Sequence, residues 1–378
     1  MNADRISVCV VGSGLAGSML AWRLASEPGV ARVDLLLGAA FRSLRDATAT
    51  SAGVVRGFER DVRASRLATD SLVELYDDPR LRRWAEYEEV GSLYICADGP
   101  PPPDLAYLED QLPGSVELVS ARELRARGWG DLPDGASAAL ESRAGRVSPG
   151  ALRAALLREL SRCRSADLLP ASLAGLAVRD AGSVHCDLVG ASSREYDIVV
   201  LAAGRWSGAL LRASGLDQGD LQTKAIECSV WATRGWRPPP FVDETSGLYG
   251  TPLGDDELLL GVPVEKWDVD PDWPAENPEC HSAVTGWAAR RLARTRLGEL
   301  RRRVVSADCY GPSRALSLEP VADTGAGVLT FAGGSGGSIK TALAASRLAA
   351  DQIAGSPIVP APWREQLQIS EGTYCETR

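Results

Sequence analysis

Two stretches of this chain can hold an anion against bare backbone. The first is Gly12-x-Gly14-x-x-Gly17, which follows the apolar, β-branched residues 6–11 and precedes an amphipathic segment at 19–24. Strand, glycine turn and helix in that order make a nucleotide site. Gly12 permits the tight turn, Gly14 lets the backbone approach a pyrophosphate, and Gly17 lets helix and strand pack closely, while the helix start offers free N–H groups and a positive dipole end. Ser13, Leu15 and Ala16 complete the loop. The second stretch, 327–340, is another strand running into glycines (Gly333, Gly334, Gly336, Gly337, with Ser335 and Ser338) and then a helix expected to reach 355. It points a second helix N-terminus at something anionic.

Other elements have to bring these turns to one ligand. Residues 196–207 read as an apolar, buried strand ending in Ala202-Ala203-Gly204 before Trp206, small residues that a ligand can approach closely. The strand at 171–178, with Leu173, is expected beside it. Two helix N-termini separated by such a strand suit an elongated cofactor: pyrophosphate at one end, and at the other a reduced flavin ring that gains negative charge near its pyrimidine edge. After the second strand, 32–37, the usual ribose-binding acid is replaced by Gly38, so Arg42 and Arg45 are assigned to the ribose side. Residues 47–56 are small and hydroxyl-rich, with Thr50 and Ser51 available to a phosphate chain and Arg56 closing the segment. By itself Arg56 reads as a surface or phosphate-paired arginine.

With 378 residues, 45% hydrophobic and 24% charged, the chain has the composition of an ordinary globular protein with ample core. A net charge of −9 disfavours nucleic acid and anionic membranes, which select basic surfaces, and leaves small molecules as the expected ligands. No segment is long and apolar enough to span a bilayer, and the cytoplasm is the expected compartment. Eight scattered cysteines without C-x-x-C spacing read as core thiols, and two histidines nearly exclude a histidine-rich metal centre, so no metal is assigned. Residues 61–76 read as a helix. Short alternating strands from 90, with a proline run at 100–103 and a small helix at 120–127, mark a second domain. Residues 145–150 then open a helix to about 163 in the first domain. Residues 221–303 return to the second, with a hairpin at 247–261 turning at 254–256. A helix is expected at 282–300, with Val284, Trp287, Leu292 and Leu297 inward and its arginines solvated.

The fold class expected is α/β: a Rossmann-type domain with an inserted α+β domain containing a mostly antiparallel sheet. The boundaries are 1–85, 145–218 and 305–356 for the nucleotide domain, 86–144 and 219–304 for the inserted substrate domain, and 357–378 for a tail.

Taken together, residues 10–17, the Gly145-x-Val-x-Pro149 helix start, residues 197–206 and residues 333–340 resemble the FAD-dependent D-amino-acid oxidase superfamily. The branch most similar is that of monomeric sarcosine oxidase and related secondary-amine oxidases, with the match running from 6 to about 355. The resemblance implies FAD as cofactor and places Lys340 where the family has a flavin-side lysine that helps bind the substrate carboxylate. It places Arg56 at the partner arginine, and Tyr249 joins them as a catalytic candidate. Two cations on one carboxylate would orient the substrate Cα–H. Cys309 falls near the position that the sarcosine oxidase branch links to the flavin 8α-methyl, and both a covalent link and an unlinked thiol fit. Leu259 stands where sarcosine oxidase carries a lysine that promotes reaction with oxygen, so the electron acceptor is O2 or another oxidant. The implied activity is hydride removal from the carbon next to the amine of an amino acid or N-substituted amino acid, giving an imine, by a monomer or small homo-oligomer. The rivals are an FAD-dependent hydroxylase, which usually has Gly-Asp where Ala332-Gly333-Gly334-Ser335 stands, and a non-catalytic flavin-binding subunit.

Overall fold

The computed structural model describes residues 5–38, 46–97, 105–179, 182–272, 276–312, 315–325 and 327–355. Their framework is two sheets. In the first, the strands run in the order Ser317–Pro320, Val328–Ala332, Ile198–Leu201, Ile6–Val11, Val30–Leu36, Ala166–Leu169, parallel except at the Ser317–Pro320 edge. From Val8 to Val11 the central strand Ile6–Val11 is apolar and buried because both its faces are covered there. Val8 and Val10 pack among Met19, Leu20, Leu156 and Ala342 of the flanking helices Leu15–Leu24, Pro149–Leu160 and Ser338–Gly355. Cys9 and Val11 face the opposite way, into a cluster with Leu173, Val184 and Val199.

That second cluster corrects one expectation. The strand Ser172–Val178 is not a neighbour of Ile198–Leu201; it belongs to a separate antiparallel sheet with Val184–Val189 and Arg194–Tyr196 that covers the parallel one. Both flanks of Ile198–Leu201 are already taken by Ile6–Val11 and Val328–Ala332. Asp34 ties the layers together: fully buried on Val30–Leu36, it accepts from Arg32 Nε at 2.7 Å, Arg194 Nη1 at 2.6 Å and Tyr196 Oη at 2.6 Å.

The larger sheet has eight strands in the order Thr295–Tyr310, Gln222–Gly235, Glu257–Gly261, Tyr249–Leu253, Phe241–Asp243, Ser92–Cys96, Ser137–Glu141, Val116–Ser120. Only Phe241–Asp243 with Ser92–Cys96 is parallel. The hairpin at 247–261 forms, with Gly254 at φ +71° in its turn. The helix expected at 282–300 does not. It runs Pro278–Arg291 and stops, and the chain continues as the strand Thr295–Tyr310, which crosses the 304/305 boundary expected between domains. Of the residues expected inward, Val284 and Leu292 are buried in the core and Trp287 and Leu297 pack partly buried against it. Beyond them Gln222–Gly235 offers a ladder that local periodicity cannot reveal. Nor are all the arginines solvated: Arg291, 2% exposed, donates from Nε to the fully buried Asp243 at 2.7 Å and from Nη2 to Thr245 Oγ1 at 2.8 Å. Among the described residues no helix is long and apolar enough to cross a membrane.

Candidate active site

A cavity of about 1250 Å³ lies between the C-terminal ends of the parallel strands and one face of the eight-stranded sheet. Ligands enter doubly wound folds at this edge. Of the candidate cofactor positions, Gly12 to Ala16, Thr50, Ser51, Leu173, Ala203, Gly204, Trp206, Cys309, Gly334 to Gly336, Ser338 and Lys340 line it, as do Arg56 and Tyr249. Gly17 and Gly337 stand behind the lining, and Arg45 lies outside the described residues.

The glycines divide by what surrounds them. Gly12 has φ +112°, and a Cβ there would lie 2.7 Å from the Ala202 carbonyl oxygen, so backbone crowding demands glycine. At Gly17 a Cβ would come within 2.0 Å of the Gly12 carbonyl oxygen and 3.1 Å of Ala202 Cβ, so this glycine seats the helix on the turn. Gly14 is different: the nearest atom to its Cβ position is Thr48 Oγ1 at 3.6 Å, ordinary contact. Protein packing would admit a side chain there, and the cavity is what it would enter.

The helix Leu15–Leu24 begins at Gly14 without a side-chain cap. Thr48 Oγ1 accepts from Leu15 N at 2.9 Å, and Ser13 Oγ donates to the Leu37 carbonyl at 2.8 Å. Thr48 belongs to the single turn Ala47–Thr50, capped by Asp46, which pairs with Arg153 at 2.5 Å. At the other end of the cavity the turn Ser335–Gly337 also starts without a side-chain cap and leads into Ser338–Gly355. Two helical starts whose N-cap residues provide no side-chain cap open on one cavity, and a pyrophosphate and an electron-rich ring edge would be suited to them. The residues therefore fit a bound dinucleotide.

Arg56 and Lys340 come together, and an acid of the chain lies between them. Arg56, 4% exposed, reaches Glu59 Oε1 with Nη2 at 2.9 Å, and Lys340 Nζ pairs with the same oxygen. Arg56 Nε also donates to the Phe58 carbonyl at 3.0 Å, and its guanidinium lies 4.9 Å from the centre of the Tyr94 ring. Burial acts to raise the Glu59 carboxyl, but Arg56 and Lys340 hold it below the usual carboxylate range. Burial, then the Arg56 charge, lowers the Lys340 ammonium. Behind them the buried Glu141 accepts from Gly57 N at 2.7 Å and Phe58 N at 3.0 Å, fixing the backbone that carries Arg56. Burial raises this carboxyl, against the pull of those two N–H groups.

On the sheet side, Tyr249 Oη and Cys228 Sγ are 3.3 Å apart, and burial raises both groups, the thiol to about 11. Cys309 is likewise pushed up to about 11 by burial, against the pull of the Gly333 backbone. Leu259, 4% exposed, is part of the cavity wall. Sequence reasoning missed Thr48, Glu59, Glu141 and Asp308. Thr48 lay within the hydroxyl-rich segment already singled out, whereas the three acids carry no motif.

A family model described as FAD dependent oxidoreductase matches residues 7–352. The comparison with curated proteins yields no match. Among solved structures, the fold is similar to L-proline dehydrogenase from P. horikoshii, with 15% identity, 94% of this chain and 96% of that one covered, and TM-score 0.73. It is also similar to glycine oxidase from Bacillus cereus ATCC 14579 (19% identity, 93% and 95% covered, TM-score 0.68). A third is NikD, described as an unusual amino acid oxidase essential for nikkomycin biosynthesis (20%, 92% and 94%, TM-score 0.67).

Proposed function

The chain belongs to the family of FAD-dependent oxidoreductases, and from that premise we propose that it removes a hydride from the carbon next to the amine of an amino acid or N-substituted amino acid, leaving an imine. One observation carries this reading: the two cations in the cavity wall already grip a carboxylate, that of Glu59. A substrate carboxylate has the same chemistry and would take over the same donors, Arg56 Nη2 and Lys340 Nζ. The glycine turn Gly12 to Gly17 and the start of Leu15–Leu24 would hold the FAD pyrophosphate, and the turn Ser335–Gly337 the ring. Bound FAD supplies a two-electron hydride acceptor. The chain's part is to place the substrate: anchoring its carboxylate restricts where the Cα–H can point, and the apolar Leu259 and Ile226 exclude water beside it. Glu141 serves this by immobilising residues 57 and 58.

The test is anaerobic mixing of the purified protein with a panel of amino acids and N-alkyl amino acids while its flavin absorption is followed. Bleaching by members of the panel supports the reading. A flavin that none of them reduces and simple carboxylates do not perturb would sink it. Cys309 is assigned as the candidate for a thioether to the flavin, since its thiol lines the cavity beside Gly333. Acid precipitation should then leave the flavin with wild-type polypeptide and release it from Cys309→Ala, whereas flavin free in the wild-type supernatant makes the thiol a packing group. An uncharged Leu259 in the wall favours slow use of oxygen and a different electron acceptor.

A further inference from the structure

The eight-stranded sheet presents to the cavity a face whose side chains alternate along its two longest strands. Lys224, Ile226 and Cys228 stand in register opposite Asp308, Ser306 and Val304, and all six line the cavity. Asp308 differs from the other acids of the lining. Asp46 caps a helix turn and pairs with Arg153, and Asp272 accepts from Trp206 Nε1 at 2.9 Å. Among the described residues, no hydrogen bond or ion pair engages the Asp308 carboxylate. Its cross-strand neighbour Lys224 is turned away to Glu265, 2.8 Å distant, and to the rings of Trp267 and Tyr310. Arg205, from the turn Gly204–Trp206, acts on it through space but donates to Ser306 Oγ at 3.1 Å. The remaining titratable neighbours, Tyr249, Cys228 and Cys309, are neutral near pH 7, because burial raises each of them.

The position of this carboxylate ties it to the proposed anchor. A Cβ on Gly336 would lie 3.3 Å from Asp308 Oδ2, and one on Gly337 would lie 3.2 Å from Lys340 Nζ. A single turn therefore touches an unpaired anion at one residue and the anchoring cation at the next.

We propose that Asp308 is the counter-ion for the substrate's ammonium group, so that the cavity recognises a zwitterion, with Arg56 and Lys340 on the carboxylate and Asp308 on the nitrogen. This rests on the amino-acid reading above. Its enclosure in the cavity wall pushes the carboxyl up to about 6, with Arg205 drawing it back, so near neutral pH it is a half-buried charge without a protein partner. An ammonium provides one through a charge-assisted hydrogen bond. The same carboxylate can take the proton that the ammonium must lose before its nitrogen assists hydride removal. One N–H bond breaks, an O–H bond forms on Asp308, and the electron pair stays on nitrogen.

Two probes of nearly equal shape separate the charges: 2-methylalanine, which has no Cα–H to lose, and pivalate, in which a methyl replaces the ammonium. Their affinities for the FAD-loaded protein are read from perturbation of the flavin spectrum. Wild type should bind 2-methylalanine at least tenfold more tightly than pivalate, and this preference should fade as pH falls through about 6. Asp308→Asn should erase the preference while leaving pivalate binding within about twofold, and Asp308→Glu should restore part of it. The wild-type pH series stands even where a variant loses flavin. If carboxylates bind but wild type shows no preference, or Asp308→Asn keeps it, this inference falls and the amino-acid reading survives. If neither probe binds and no amino acid reduces the flavin, both fall together.

Discussion

Gly14 and Gly17 sit three residues apart in one turn and answer to different constraints. Because only the cavity limits Gly14, Gly14→Val should leave the melting temperature of the flavin-free protein nearly unchanged while abolishing yellow colour and reconstitution with FAD. Gly17→Ala forces a methyl into the Gly12 carbonyl and should lower stability whether or not FAD is present. Absorbance at flavin wavelengths and thermal melts of both forms distinguish the two. For the anchor, Arg56→Met and Lys340→Met should keep FAD but slow anaerobic flavin reduction by about tenfold to a hundredfold each, as expected for lost charge-assisted hydrogen bonds of about 1.5–3 kcal/mol. The double variant should lose less than the product of the two, since both residues grip one group; loss of FAD in both singles would assign the cations to the cofactor instead. The glycines were legible because their type and spacing are tied to backbone geometry, whereas Lys340 was singled out through the family resemblance. Glu59, Glu141 and Asp308 were not legible, because nothing local distinguishes a buried or half-buried acid from a solvated one until the chain has folded over it.

At the level of elements, the sequence revealed what is local and missed what is paired across distance. The helix start at Pro149, with Ser148 as cap, and the hairpin at 254–256 follow from neighbouring residues. The strand Thr295–Tyr310 does not: its arginine-rich first half suits a helix as well as a strand, and its partner lies some seventy residues upstream in Gln222–Gly235. The end of the helix Pro278–Arg291, just before that strand, is tied to the strand Phe241–Asp243 by Arg291 and Asp243. Removing one partner of a buried, hydrogen-bonded ion pair costs about 3–5 kcal/mol. Arg291→Met should therefore shift the denaturant midpoint strongly downward while flavin spectra and reduction constants stay at wild-type values. An unchanged midpoint would show that this pair adds nothing to stability.

For the molecule as a whole, the Rossmann-type sheet and the antiparallel sheet were both foreseen, since fold class depends on the order of strands, turns and helices and not on exact pairings. The cavity between them links their stabilities. A ligand that binds only the folded chain stabilises it by about 2.7 kcal/mol at a hundred times its dissociation constant. The melting temperature should accordingly rise with FAD concentration, and both sheets should melt in one transition when loaded. Two transitions at saturating FAD would mean that the cofactor secures the parallel sheet alone.

If Arg56 and Lys340 anchor a substrate carboxylate as proposed, the carboxylate of Glu59 is an internal tenant of that anchor. Any incoming acid has to evict it, so the affinity measured in solution is the intrinsic affinity reduced by the fraction of time the cations are vacant. Small anions that engage one cation weakly would be turned away by this competition, while a ligand contacting further groups in the cavity could overcome it. Selectivity would then begin before chemistry, as a contest in which the enzyme's own side chain sets the minimum bid.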